Sequence, residues 1–341
     1  MKIAALLRVA FCFVALLGPT IAHADDFYKG KTITLFIGAP PGGTYDIYTR
    51  LFARHLGDFI PDNPSVIAES MPGAAGIRVA NYLYNAAAKD GTALALSLNN
   101  IPLNEFLTPE QVKYHSDQFA WIGRGDAPTH ALFTWSGSGI RTIDDAKKRP
   151  VLTAVTAPGT ATEMYPSLAN ALLGTRFKLV SGYQGATGID VAMENGEIEA
   201  IGSNAWDNYV VSKPDWIRDH KIIPLFQTTF ERDPALPKDT PTFLELVAKE
   251  HDRAIVRLIT QIEAVGLYLM GPPGMPADRV QMLRQAFGKM VASRDFLTDA
   301  KTLRLGVHPM SGDDLQNLVS TVLATPKDVV EAFSKAATPP R

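Results

Sequence analysis

The chain has 341 residues, 33 basic against 35 acidic, a formal net charge of −2 and 46% hydrophobic residues. That balance argues against nucleic acid and anionic membrane surfaces as partners. The length is enough for two lobes with separate cores, and no low-complexity segment or charge run interrupts it.

Residues 1–24 read as a cleavable signal peptide. Lys2 and Arg8 make a positive start, Val9 to Leu17 is a short apolar core, and Ala22-His23-Ala24 is a small-x-small cleavage signal. The apolar run is well short of the roughly 20 residues a spanning helix needs. A retained membrane anchor is the alternative. Cleavage before Asp25 removes Lys2 and Arg8, which takes the formal net charge from −2 to −4. It also removes Cys12, the only cysteine. The mature chain then has no disulfide, no thiol nucleophile and no Cys-based metal site. A periplasmic location is expected from the signal.

The first recognisable unit is Thr32 to Ile37, an apolar run that predicts a buried strand. Gly38-Ala-Pro-Pro-Gly-Gly-Thr-Tyr-Asp46 follows as a turn. Tyr48, Leu51, Phe52, His55, Leu56 and Phe59 then recur at helical spacing. Glycines and free N–H groups at a helix start make an anion site; an ordinary βα loop is the alternative. Ser65 to Glu69 predicts a second strand, Val79 to Ala88 a helix, and Ala93 to Leu98 a third strand. This alternation implies βαβ units and a parallel sheet, with the loops after the strands at one edge. Asn99, at the end of the third strand, is a candidate for that edge.

Phe119 to Gly123 and Ala131 to Trp135 predict strands leading out of this block. Thr142 with Asp145 fits a capping box. The opening pattern then returns: strand Val151 to Val155, the turn Ala157-Pro-Gly159-Thr160-Ala-Thr162, and a helix ending at Gly174. Internal duplication and chance similarity of two βα turns both fit. Pro166 is expected near that helix's first turn. Strands at Phe177 to Val180 and Ile198 to Ile201 lead to Tyr183 and to Asn204-Ala-Trp206. Tyr183 and Trp206 could wall a pocket or pack in a core. Helical pattern resumes from Phe243 to Ile262, a strand follows at Val265 to Met270, and Ser311 with Asp314 caps a later helix. The tail helices, through Phe333, are expected to pack back on the first lobe.

Several chemistries are missing. Thr44 stands where a nucleotide P-loop needs Lys. There is no Gly-x-Gly-x-x-Gly turn, no Gly-x-Ser-x-Gly elbow and no His-Glu-x-x-His. Catalytic residues, metal and cofactor are therefore all expected to be none, although a triad from distant positions stays open. What remains is two glycine-bearing helix starts with hydroxyls at Thr44, Thr160 and Thr162. Neither loop holds Arg or Lys, which favours a carboxylate over a phosphate. Asp46 either caps the helix and orders the loop or accepts a bond from a ligand; capping is preferred, because Asp is a strong N-cap type.

These residues resemble the Bug family, the extracytoplasmic receptors of tripartite tricarboxylate transporters. The likeness runs in order through Pro40-Pro-Gly-Gly-Thr-Tyr-Asp46, Glu69-Ser-Met-Pro-Gly-Ala-Ala-Gly76, Lys89-Asp-Gly-Thr92, Gly159-Thr160, Tyr183-Gln-Gly185, Gly196-Glu-Ile-Glu199 and Pro272-Pro-Gly-Met-Pro276. It implies a two-lobed α/β periplasmic-binding-protein fold, type II-like, each lobe a mainly parallel sheet flanked by helices. Residues 25–129 plus 226–341 would form lobe 1 and residues 130–225 lobe 2.

The resemblance also implies a small carboxylate held in the cleft largely by backbone groups. Gly42, Gly43 and Thr44 would do so in lobe 1, and Gly159, Thr160 and Thr162 in lobe 2. Asp46, Asn99, Tyr183, Asn204 and Trp206 complete the candidate set. Ala161, Glu163 and Met164 depart from the Ser and His usual after the second Gly-Thr. The expected partners are the membrane subunits of the tripartite system or a sensor kinase, with no nucleic acid, and the expected state is a monomer. A secreted α/β hydrolase is the alternative of another class, weakened by the missing nucleophile elbow.

Overall fold

The computed structural model describes residues 27–156, 159–183 and 185–338. The signal-peptide reading, Ala157-Pro158 of the second loop and Gln184 lie outside them. Among the described residues the strands are β1 (Thr32–Ile37), β2 (Ser65–Ser70), β3 (Ala93–Leu96), β4 (Ala120–Asp126), β5 (His130–Trp135), β6 (Val151–Val155), β7 (Phe177–Ser181), β8 (Ala200–Ala205), β9 (Ile222–Gln227), β10 (Leu267–Gly271) and β11 (Met310–Ser311). They form two sheets, ordered β11-β4-β10-β3-β1-β2 and β7-β6-β8-β5-β9.

Each sheet holds the expected parallel triplet. In one, β1 lies between β2 and β3; in the other, β6 lies between β7 and β8. Both central strands lead through a glycine turn into a 13-residue helix, Thr44–Leu56 or Ala161–Leu173. The sheets are mixed rather than mainly parallel, however. β10 runs antiparallel to β3 and β4, and β5 antiparallel to β8 and β9. These are the strands by which the chain enters one sheet from the other, so no crossover helix sets their direction.

The mixed registers gather the crossings at one place. Leu267 pairs with Asp126 at the start of β10, and His130 pairs with Ala205 at the start of β5. The chain therefore changes sheets beside the carboxyl edges of the parallel strands. Ligands of open α/β sheets bind at such edges.

Tyr48, Phe52, Leu269 and Phe287 belong to a core cluster of the first sheet, and Val79, Trp121, Tyr268 and Val319 to another. The helices Ala277–Ala292, Arg294–Thr302 and Gly312–Leu323 complete these layers. Packing elsewhere departs from the expected division of the chain. Phe243, Val256 and Ile259 share a cluster with Tyr165 and Leu168 of the second lobe and with Phe226, and so do Val329, Val330 and Phe333 of the last helix, Lys327–Ala337. Their apolar stripes cover the face that Ala161–Leu173 leaves open. The tail helices thus pack on both lobes, not on the first alone.

Local signals from the sequence hold in detail. Thr142 and Asp145 close a reciprocal capping box, and Ser311 accepts the Asp314 N–H at 3.1 Å. Pro166 sits one turn deeper in its helix than expected. Lacking an N–H, it offers nothing to the Thr162 carbonyl four residues back. That carbonyl faces Gly202 of β8, where an added Cβ would lie 1.9 Å from it. Gly202→Ala is therefore expected to lower unfolding free energy by at least ~2 kcal/mol through overpacking against backbone. Gly188→Ala, in open space on a helix, should instead be neutral or stabilise by up to ~1 kcal/mol. Urea unfolding of both variants measures the contrast; equal stabilities would contradict the close approach.

Candidate functional site

A cavity of about 140 Å³ lies where the two sheet edges meet. Thr44, Tyr45 and Asn99 line it from the first sheet, and Ala205, Asp207 and Asn208 from the second. The crossings contribute Asp126, Pro128, His130, Glu263, Gly266 and Leu267, and the tail contributes Arg304 and Gly306. A larger groove of about 670 Å³, beside Arg141, Lys147, His220 and Pro241, takes its lining from residues 141–246 alone. Only the smaller cavity would change shape if the sheets moved relative to each other.

Polar contacts stitch the cavity wall together. The Asn99 backbone N–H donates to the Tyr45 hydroxyl at 3.4 Å, and its side-chain amide donates to Glu263 Oε2 at 3.0 Å. Burial, and then the Glu263 charge, hold the Tyr45 hydroxyl well above the usual tyrosine range. Asp126, 1% exposed, accepts from the Tyr48 hydroxyl at 3.1 Å and meets His308 Nδ1 at 2.8 Å. The Tyr48 hydroxyl also donates to the Gly306 carbonyl. Asp207 has no hydrogen-bond or ion-pair partner among the described residues. Burial pushes its carboxyl up first, then Asp126 and Asp233 add to the shift, while His308 opposes it.

Both glycine turns use one device. Asp46, at the third helical position, accepts the Gly42 N–H at 2.9 Å. Glu163, at the third position of its own helix, accepts the Gly159 N–H at 2.7 Å. Each carboxylate reaches back past its N-cap to the residue before it. Each also places a negative charge at the positive end of a helix, which is favourable. The likeness of the two loops is therefore physical as well as verbal.

No family model matches the chain. It is 24% identical over 301 residues to the UPF0065 protein of the tcbD-tcbE intergenic region of Pseudomonas sp. (strain P51), covering 86% of this chain and 83% of that one. It is 32% identical over 103 residues to protein BugT of Bordetella pertussis, covering 30% of this chain and 31% of BugT. Both relatives and the ordered motifs make the chain similar to the Bug family of tripartite tricarboxylate transporter binding proteins. Solved structures share the fold. A TctC solute-binding protein from Polaromonas has a TM-score of 0.69 at 18% identity, over 89% of this chain and 99% of that one. R. palustris Rpa4515, with adipate, has a TM-score of 0.64 at 20% identity, over 90% and 97%. MatC (Rpa3494) from Rhodopseudomonas palustris, with bound malate, has 0.61 at 20%, over 88% and 99%.

The residues that the Bug resemblance singled out do not all meet. Thr44 and Asn99 line the cavity. Gly42 and Gly159 have committed their N–H groups to Asp46 and Glu163, which removes both amides from ligand contact in this conformation. Asp46 orders the loop and pairs with Arg50 at 2.9 Å, without acting as the N-cap, which is Gly43. Thr160 and Thr162 approach each other at 2.7 Å, and Thr162 also accepts the Thr156 N–H at 3.0 Å. Thr160 and Thr162 thus turn toward each other and are not among the described residues that line the cavity. Asn204 is buried and accepts from Ala205 N–H and Asn208 Nδ2, which positions Asn208. Trp206 is buried and stacks on Phe133 at 6.0 Å, and Tyr183 is half-buried against the same cluster. Both pack in a core rather than wall the cavity.

Sequence reasoning missed Tyr45, Asp126, His130, Asp207, Glu263 and Arg304. The edge rule that found Asn99 would also reach Asp126, had β4 been read as parallel to β3. Glu263 and Arg304 carry no local signal.

Asp126 is the leading cause of a raised His308 pKa. Such a contribution to stability is full below the ordinary value of 6.5 and disappears as pH rises through the raised value. The stability difference between the native chain and His308→Gln should therefore be largest on the acid side of 6.5 and shrink towards pH 9. Thermal unfolding across that range measures it; a gap that widens with pH would contradict the pairing.

Proposed function

We propose that this chain is a periplasmic receptor that takes a small carboxylate into the interlobe cavity and presents it to the membrane subunits of a tripartite tricarboxylate transporter. One observation carries the reading: the cavity walls come from both carboxyl edges and from the segments joining them. Closure about 127–129 and Gly266 would complete such a site and opening would release it. The Thr44–Leu56 helix starts at the wall, where first-turn N–H groups lack helical acceptors and favour an anion. The neighbours holding adipate and malate support the ligand class. The receptor acts as a monomer in this proposal and takes no cofactor.

A hydrolytic reading finds one pair to consider, His130 Nδ1 and Ser203 Oγ at 3.1 Å. Ser203 is buried. Among the described residues no carboxylate bonds the other ring nitrogen, so the third member that would orient a base is missing. No chemical step is proposed.

Titration calorimetry with a panel of mono-, di- and tricarboxylates tests the reading. At least one should bind. Thr44→Trp, at an exposed helix start on the cavity rim, should weaken it at least tenfold without moving the melting temperature. Absence of heat with every carboxylate would sink the proposal.

A further inference from the structure

The loop 303–308, after the helix Arg294–Thr302, touches both sheets. It is fixed to the first. Leu305 and Val307 pack against the core cluster of Tyr48, Phe52 and Leu269. The His308 N–H donates to the Gly125 carbonyl of β4 at 3.0 Å, and the Tyr48 hydroxyl donates to the Gly306 carbonyl. The same loop meets the helix Trp206–Ser212, which follows β8 and enters the core of the second sheet through Trp206 and Tyr209. A Cβ built on Gly306 would lie 2.9 Å from Asp126 Oδ2 and 3.3 Å from Asp207 Oδ2, so the loop passes between a carboxylate from each side. Two residues earlier, Arg304 Nη1 donates to the Val211 carbonyl at 3.3 Å.

Arg304 holds an unusual position for that contact. The Leu305 N–H bonds the Ala300 carbonyl at 2.9 Å, and the Arg304 N–H bonds the Lys301 carbonyl at 3.0 Å. This is a Schellman ending, whose left-handed residue is most often glycine. Arg304 takes that place with a φ of +59°, where a Cβ crowds the neighbouring carbonyl at a cost in conformational energy. Glycine would relieve the cost and would also remove the side chain. Val211 lies in the last turn of its helix, where carbonyls lack helical partners. A guanidinium there satisfies one of them and complements the negative end of the helix. The strained position therefore carries the side chain that joins the two sheets.

We infer that Arg304 is an interlobe latch, a positioning residue that weights the two sheets toward the spacing seen here before any ligand arrives. A cation at a helix C-terminus shifts such a balance by about two- to fivefold, which tunes closure without preventing release. Apparent affinity scales with the competent fraction. That consequence for affinity rests on the receptor reading, whereas the latch itself is measured without ligand.

Double electron–electron resonance on the ligand-free chain tests it. Spin labels are placed at Asp58→Cys and Lys178→Cys, exposed positions beside the first and second sheets, with Cys12, the only cysteine, changed to serine. Arg304→Met removes the donors, and Arg304→Gly removes them and relaxes the backbone. Both should lower the ratio of the distance population matching this structure to all others by about two- to fivefold. The Gly variant should do so with a melting temperature at or above the native value. Arg304→Lys keeps a cation and a donor and should restore the ratio. An unchanged distribution in the Met and Gly variants would overturn the inference; weaker carboxylate binding with no such change would make Arg304 a ligand contact instead. A change confined to the Gly variant would trace to backbone freedom and overturn it too, as would a Lys variant that behaves like Met. Carboxylate binding is scored separately: its absence in the native chain would remove the receptor reading and not the latch.

Discussion

Gly266 and the carbonyl of Asp126 come so close that a Cβ at Gly266 would lie 2.2 Å from that oxygen, and Gly266 has a φ of +62°. Only glycine meets both demands. The contact brings the end of β4 against the entry to β10, and the first sheet depends on it. β10 can then pair with β3 on one side and β4 on the other. Glu263, three residues before Gly266, is carried to the Asn99 side chain at the end of β3. Asp126, on the opposite side, is carried to the tail loop with Gly306 and His308. The polar wall of the cavity follows from one close backbone approach.

The two glycine turns play a different part from their obvious one. A helix start with free N–H groups attracts anions, yet each lobe supplies a carboxylate of its own to the turn. The first lobe keeps its helix start at the cavity through Thr44 and Tyr45. The second folds its hydroxyls onto one another. The lobes are thus alike in construction and unlike in what they offer a ligand.

What the sequence disclosed follows the range of each interaction. Turns, caps and parallel triplets were legible, because Ser311 with Asp314, or Gly42 with Asp46, interact within one helical turn. Asn99 was legible because handedness places the end of every parallel strand at a common edge. Glu263 was not, since a glutamate near the end of an amphipathic helix reads as surface. Its significance arises from Asn99, 164 residues away. Trp206 stayed open between pocket wall and core for the opposite reason. Its position after a strand resembled a pocket wall, whereas Phe133 on the neighbouring strand claims its ring face. The last helix had no local sign of its destination, because an apolar stripe states that a face is buried and not against what.

That last helix has a consequence for how the molecule is made. Strands β5 to β9 form a continuous stretch, 130–227, which suggests a lobe able to form as soon as it is synthesised. Its inner layer nevertheless needs Phe243 to Ile262 and then Val329, Val330 and Phe333. The face over Tyr165 and Leu168 stays uncovered until Val329, Val330 and Phe333 have been made. The second lobe is therefore contiguous in its strands but not in its folding, and its completion waits on the helix Lys327–Ala337, unlike a domain that folds as an independent unit.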